Sequence, residues 1–386
     1  MADATQFTRD IGIMGIAFSA GESSNNGGIG SITYPSVLET MKSQGRIQSL
    51  SYSLWLDDLA ANTGTILFGG VDTSKYVGSL ISLPIQTDGN SGLKTSFTVA
   101  WTGLSLSGEG QNVDLAPSSA QPAIFDSGTT LTYLPDDIAN QIFNALGVTT
   151  DPSIGQVVPC RLQANNLTFT YTFGGPGGPG GPAIAVPLSE LLIPLTTASG
   201  APYTGKGQNP LCSFGIDAAG SNPILFGDTF LRSAYVVYDL ENLQIGLAQT
   251  NFNAQPIPGS NVEPIVHSAN IPDVASTASA ISVQQTFSRK PLNTAAGASA
   301  SGSQAAEQTV SRSATLRLQA SGTTAASVTG ATSSMVSSTR APSATASSRS
   351  SASSAAATTS ANSGMTTSGI DSLGYLLTSV LGLFLA

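Results

Sequence analysis

Through roughly the first 255 residues, apolar and polar positions alternate in short runs, each closed by Gly, Pro, Asn or Asp. The runs Ser51–Leu56, Thr65–Phe68, Leu80–Pro84, Ser96–Trp101, Ala123–Phe125, Leu167–Phe173, Ala183–Val186 and Ala234–Asp239 have the period and the β-branched and aromatic content of strands. Helical patterning is confined to two short stretches. Tyr34–Lys42 places Pro35 where a first turn tolerates it, and Pro135–Phe143 opens with Asp136 and Asp137 at the positive end of a helix dipole. The fold class expected is mostly β. The Gly/Pro run from Phe173 to Pro182 has no side chains to pack and reads as an exposed hairpin tip.

Beyond about Pro256 the pattern gives way to Ser, Ala and Thr with almost no aromatics. Such composition buries too little apolar surface to offset the entropy of ordering, so disorder is expected there. Charge divides at the same place. Up to residue 260 there are 8 Lys and Arg against 19 Asp and Glu, a net −11, whereas the remainder carries +2. An acidic, Lys-poor folded part argues against nucleic-acid binding. It fits a protein that works in acid, or simply a soluble acidic one.

Cys160 and Cys212 are the two cysteines, and His267 is the single histidine. No metal site built on these is expected. The cysteines form one disulfide if the chain is secreted, or remain two buried thiols if it is not. Met1–Phe7 has neither the basic start nor the apolar run of a signal peptide. The other end, Leu373–Ala386, is an apolar run too short for a bilayer span. It follows small residues at Asn362–Gly364 and a polar spacer, which is the pattern of a GPI-attachment signal with Asn362 as the acceptor. The Ser/Thr-rich stretch before it reads as an O-glycosylated stalk. An exit signal without an entry signal leads to the expectation that the N-terminus is truncated. Asn166-Leu167-Thr168 is an N-glycosylation sequon.

The chemistry concentrates in Ala123-Ile124-Phe125-Asp126-Ser127-Gly128-Thr129-Thr130-Leu131-Thr132-Tyr133-Leu134-Pro135. An apolar strand ends in an acid, Ser-Gly-Thr makes a tight turn, and hydroxyls flank the carboxylate. Asp-Ser-Gly by itself is an ordinary turn. Its context resembles the pepsin-like aspartic proteases, in particular the fungal cell-surface group of yapsins and candidapepsins. The resemblance runs in order from about residue 10 to 253. Ile11–Phe18 resembles the segment supporting a first active-site loop, and Thr65–Asp72 with Lys75–Gly78 resembles the end of the first lobe. Pro223–Asp239 resembles the segment supporting the second active-site loop, and Cys160 and Cys212 fall where the family's second-lobe disulfide lies.

The resemblance implies a bilobal pepsin-like β fold with an incomplete first lobe over 1–85 and a second lobe over 86–255. A disordered stalk over 256–362 and a GPI signal over 363–386 follow. It implies a monomeric, GPI-anchored cell-surface endopeptidase acting on proteins and peptides at acid pH, without cofactor. Asp126 is then one catalytic carboxylate. Thr129 braces the catalytic loops, and Gly128, Thr129 and Thr130 face the substrate. Asp126-Ser127-Gly128 is the sole Asp-(Ser/Thr)-Gly in the sequence, so the partner carboxylate has no matching motif. The alternative is a non-catalytic surface or wall protein derived from such a protease. Cleavage specificity is not legible in the sequence.

Overall fold

The computed structural model describes residues 14–21, 34–61, 63–175, 181–205, 208–252, 254 and 261–285. Asn362, the stalk from residue 286 onward and the C-terminal apolar run lie outside the described residues, as do residues 11–13 and the tip of the Gly/Pro run, 176–180.

Two adjacent inner strands of a six-stranded sheet, Ser51–Trp55 and Ala234–Asp239, are buried along their whole length. AYVVYD is a near-continuous apolar and aromatic run, as burial on both faces requires, while SYSLW buries the small residues Ser51 and Ser53 between its large ones. Thr65–Phe68 flanks one side. Gln244–Thr250, Tyr76–Pro84 and Val274–Thr277 follow in order on the other. The segment expected to end a first lobe (Tyr76–Pro84) therefore shares a sheet with the segment expected to end the second (Gln244–Thr250).

An eight-stranded sheet carries the site. Its long central strand, Thr98–Gly108, pairs antiparallel with Thr168–Phe173, Gln111–Asp114 and Gln121–Phe125. Thr168–Phe173 alternates strictly, with Phe169, Tyr171 and Phe173 fully buried. The Tyr171 and Phe173 rings join Phe125, Phe226 and Phe230, and Trp101 meets Phe226, in a cluster of contacts at 4.7–5.9 Å. The hairpin expected around the Gly/Pro run is present, with Thr168–Phe173 paired antiparallel to Ala183–Pro187.

A four-stranded sheet holds Leu192–Pro194, Leu211–Phe214, Gly155–Pro159 and Thr149–Asp151 in that order. Cys160 and Cys212 are bonded beside it, closing a loop with a sequence separation of 52. The disulfide reading thus holds, and the two-thiol alternative does not.

Both expected helices form. Val37–Ser43 is capped by Ser36, whose hydroxyl accepts from the Glu39 amide while Glu39 Oε2 accepts from the Ser36 amide. Pro35 therefore stands before the cap rather than inside the first turn, because the serine hydroxyl offers the free amides a partner that proline lacks. Asp136–Leu146 starts with the two aspartates and ends at Gly147, whose φ of 66° is left-handed.

The disorder expected from residue 256 does not extend over residues 261–285. Val262–Pro264 pairs with Gly70–Asp72, and Val274–Thr277 pairs in parallel with Tyr76–Pro84. Ile265 and Ile271, isolated among small and polar residues, are buried. Gly175 donates to the Ser279 carbonyl and Gly89 to that of Gln285, each at 2.8 Å. The physical reason is the sheet edge: the open backbone groups of Tyr76–Pro84 supply partners that composition alone does not reveal. Residues 261–285 are thus ordered along the sheet edge, past the boundary expected at 255.

Candidate active site

Asp126 stands at the end of Gln121–Phe125, a strand whose Ala123 and Phe125 are fully buried. The strand runs parallel to Ile224–Phe226, with Phe125 opposite Phe226, and the Asp126 amide donates to the Phe226 carbonyl at 3.1 Å. This pairing fixes where the chain leaves the sheet and turns.

The turn closes on the carboxylate. The Gly128 amide donates to Asp126 Oδ1 at 2.9 Å, and the Thr129 hydroxyl donates to Oδ2 at 2.7 Å. The Thr129 amide donates to the Asp126 carbonyl at 3.2 Å. Both oxygens are thus oriented, and the side chain remains only half-buried. Hydrogen bonds of this kind fix the direction of the carboxylate. An oriented, accessible carboxylate can take a proton from a bound water.

A short segment supports the turn from behind. Gly227 precedes the helix Asp228–Leu231, and the Asp228 and Thr229 amides donate to the Thr129 and Thr130 carbonyls at 2.8 and 3.1 Å. A Cβ at Gly227 would stand 2.2 Å from the Thr129 carbonyl oxygen, so only glycine permits this approach. The buried hydroxyls of Thr132 and Thr229 lie 3.0 Å apart, and Thr229 donates to the Gly215 carbonyl at 2.8 Å.

Two carboxyls beside this turn were not singled out by sequence reasoning. Burial pushes the Asp228 carboxyl up to about 7, the charge of Asp126 adds to the rise, and the Arg232 guanidinium opposes it. Arg232 is itself buried. Its Nε donates to Glu190 Oε2 at 3.0 Å and its Nη2 to the Glu190 carbonyl. The Leu59 amide donates to the same Oε2 at 2.9 Å. Burial raises the Glu190 carboxyl and Arg232 lowers it, with burial the larger effect. The pair ties the supporting helix to the loop after Ser51–Trp55. The only sequence signal for Asp228 is its place directly after Gly227 in the supporting segment.

Of the residues expected to face substrate, Gly128 and Thr129 direct their amide and hydroxyl to Asp126, while Thr130 is exposed. The Thr129 carbonyl braces the turn against the Asp228 amide. Asn166 is exposed just before Thr168–Phe173. Among the described residues no group of three His, Cys, Asp or Glu side chains is placed to hold a metal ion.

Comparison with known proteins agrees with this geometry. The family model described as "Eukaryotic aspartyl protease" matches residues 2–250. The chain is 43% identical over 250 residues to a protein named "Probable aspartic-type endopeptidase opsB" from Aspergillus fumigatus, covering 64% of this chain and 48% of that one. It is 35% identical over 258 residues to Candidapepsin-1 of Candida albicans, covering 66% and 57% respectively. A crystal structure of an aspartic proteinase from Irpex lacteus is similar at 23% identity with a TM-score of 0.46, over 57% of this chain and 63% of that one. The chain spans about half the length of the curated relatives it matches. With the family model matched across most of the described residues, this chain belongs to the eukaryotic aspartyl protease family, the pepsin-like aspartic proteases.

Proposed function

We propose that this chain carries one of the two catalytic carboxylates of an acid endopeptidase, and that Asp126 is that group. The observation that carries this reading is the Asp126 turn, where a half-buried carboxylate is held at both oxygens by Gly128 and Thr129. In the proposed mechanism Asp126 shares a proton with a second carboxylate across the acid range. The ionised member takes a proton from a bound water, which attacks the scissile carbonyl. The protonated member donates to the carbonyl oxygen. No other Asp-(Ser/Thr)-Gly occurs in the sequence to mark the second carboxylate, and the chain spans about half the length of the relatives it matches. Thr130, exposed at the mouth of the turn, meets the substrate backbone.

The same reading places the protein at the cell surface, reached through the secretory pathway and held by a GPI lipid at Asn362, with a glycan on Asn166. The disulfide and the exposed sequon are in keeping with an oxidising, extracellular setting. The lone Asp-(Ser/Thr)-Gly also favours a second reading, a non-catalytic surface protein of the same descent. The two readings separate in one assay. The protein expressed from its complete gene is given a denatured protein substrate at acid pH, with and without pepstatin. Pepstatin-sensitive cleavage supports the peptidase, and its absence favours the non-catalytic protein.

A further inference from the structure

Tyr52 and Tyr238 face each other across two adjacent inner strands of the six-stranded sheet. Their rings stack with centroids 4.6 Å apart at 16°, and both residues have zero exposure. Phe97 lies against both rings, at 6.3 Å from Tyr52 and 4.6 Å from Tyr238. The Phe97 carbonyl accepts from the amide of Phe125, the residue before Asp126. Phe97 thus joins the tyrosine pair to the strand end that presents the carboxylate.

Neither tyrosine hydroxyl has a protein hydrogen-bond partner. A buried phenol without one is disfavoured, and phenylalanine would fill the same volume without that cost. Two such hydroxyls occupy facing positions of one sheet. Burial raises both phenols above their ordinary range, and the charge of Asp126 raises both further, with Asp228 adding to Tyr238. Phe97, packed on both rings and hydrogen-bonded to the residue before Asp126, is the geometric link between the pair and the carboxylate. Tyr171 makes the contrast. It is equally buried and also lacks a partner, but it packs against Phe226 and Phe230, and burial alone raises it.

We propose that Tyr52 and Tyr238 are positioning residues that hold one ordered water beneath Asp126, the water accepting from the phenols and donating to the carboxylate. Asp126 has the capacity. Each of its oxygens offers two acceptor directions, and one is taken at each by Gly128 and Thr129. A buried water with two to four polar partners is a common structural element. The arrangement would fix the carboxylate from the side opposite to the substrate. It rests on the reading of Asp126 as the reactive group, and its test requires no peptide cleavage, so either idea can fail alone.

The test is a set of thermal unfolding measurements on the full chain. Tyr52→Phe, Tyr238→Phe and Tyr171→Phe are compared in the native and in the Asp126→Ala background. The expected result is a fall in melting temperature of about 3 °C for Tyr52→Phe and for Tyr238→Phe. Most of that fall should vanish in the Asp126→Ala background, while Tyr171→Phe leaves the value unchanged or raises it. Losses equal in the two backgrounds, or Tyr52→Phe and Tyr238→Phe behaving like Tyr171→Phe, would overturn the proposal. A crystal structure gives the second arm: density for a water at about 3 Å from the hydroxyls and the carboxylate is expected. Hydroxyls surrounded by carbon atoms alone would contradict it.

Discussion

Asp228 donates its backbone amide to the Thr129 carbonyl at 2.8 Å while its own carboxyl is raised to about 7, first by burial and then by the charge of Asp126. One residue therefore both shapes the Asp126 turn and has its own carboxyl pushed towards the protonated form beside it.

That proton makes folding pH-dependent. The folded-state value of about 7 lies above the ordinary 3.8, so between them the folded chain holds a proton that the unfolded chain has released. Stability from this group is therefore greatest in acid and falls as the pH rises from about 4 towards about 7. The full span would correspond to about 4 kcal/mol, and the partial exposure of the side chain reduces it to on the order of 2 kcal/mol. Asp228→Asn should flatten the stability profile over this interval, as measured by urea unfolding at several pH values. An unchanged slope would mean that another group titrates there.

Arg232 is the cation of a buried pair, and its loss leaves Glu190 buried without it. Arg232→Met should cost about 3–5 kcal/mol at neutral pH. Glu190 then keeps the Leu59 amide on its carboxylate, so part of the loss should be recovered as the pH falls and the carboxyl protonates. Replacing both residues by apolar ones should cost less than Arg232→Met alone. Chemical denaturation of the single and double variants decides this.

The Cys160–Cys212 bond closes a loop with a sequence separation of 52. Chain-entropy arguments assign such a crosslink about 4 kcal/mol. Reduction, or Cys160→Ala with Cys212→Ala, should lower stability by an amount of this order. Unfolding with and without reductant measures it.

Residues 261–285 should behave as part of the folded body. Chains ending at 260 and at 285 differ by the two added strands and by Ile265, Ile271 and Val283, all buried. The shorter chain should unfold several degrees lower and aggregate more readily, because the edge strand Tyr76–Pro84 loses its cover. Equal melting temperatures for the two chains would show that this segment adds nothing to the fold.

How much of this was legible in the sequence depended on how local each signal is. Thr65–Phe68 and Ala234–Asp239 appear with the bounds their apolar runs suggested, and in Ala234–Asp239 continuous burial leaves a continuous record. Thr132–Leu134 and Ile216–Ala218 are three residues long and take their identity from each other across the chain. No local period marks them. The strap at 261–285 was hidden by its Ser and Ala content, since its order comes from the sheet edge it covers. At the site, the Asp126 turn was readable as a motif because its hydrogen bonds close within three residues. The roles of Asp228, Arg232 and Glu190 were not. They depend on burial and on contacts between residues 42 positions apart or more.

The central claim is that Asp126 is a catalytic carboxylate. The most direct test compares the protein expressed from its complete gene with its Asp126→Asn variant, at acid pH, on a denatured protein substrate. Asparagine keeps the shape and the acceptor oxygen but cannot take the proton of a water. The account predicts that kcat falls by about a thousandfold or more while the variant stays folded. An Asp126→Asn protein that cleaves at the native rate would contradict it.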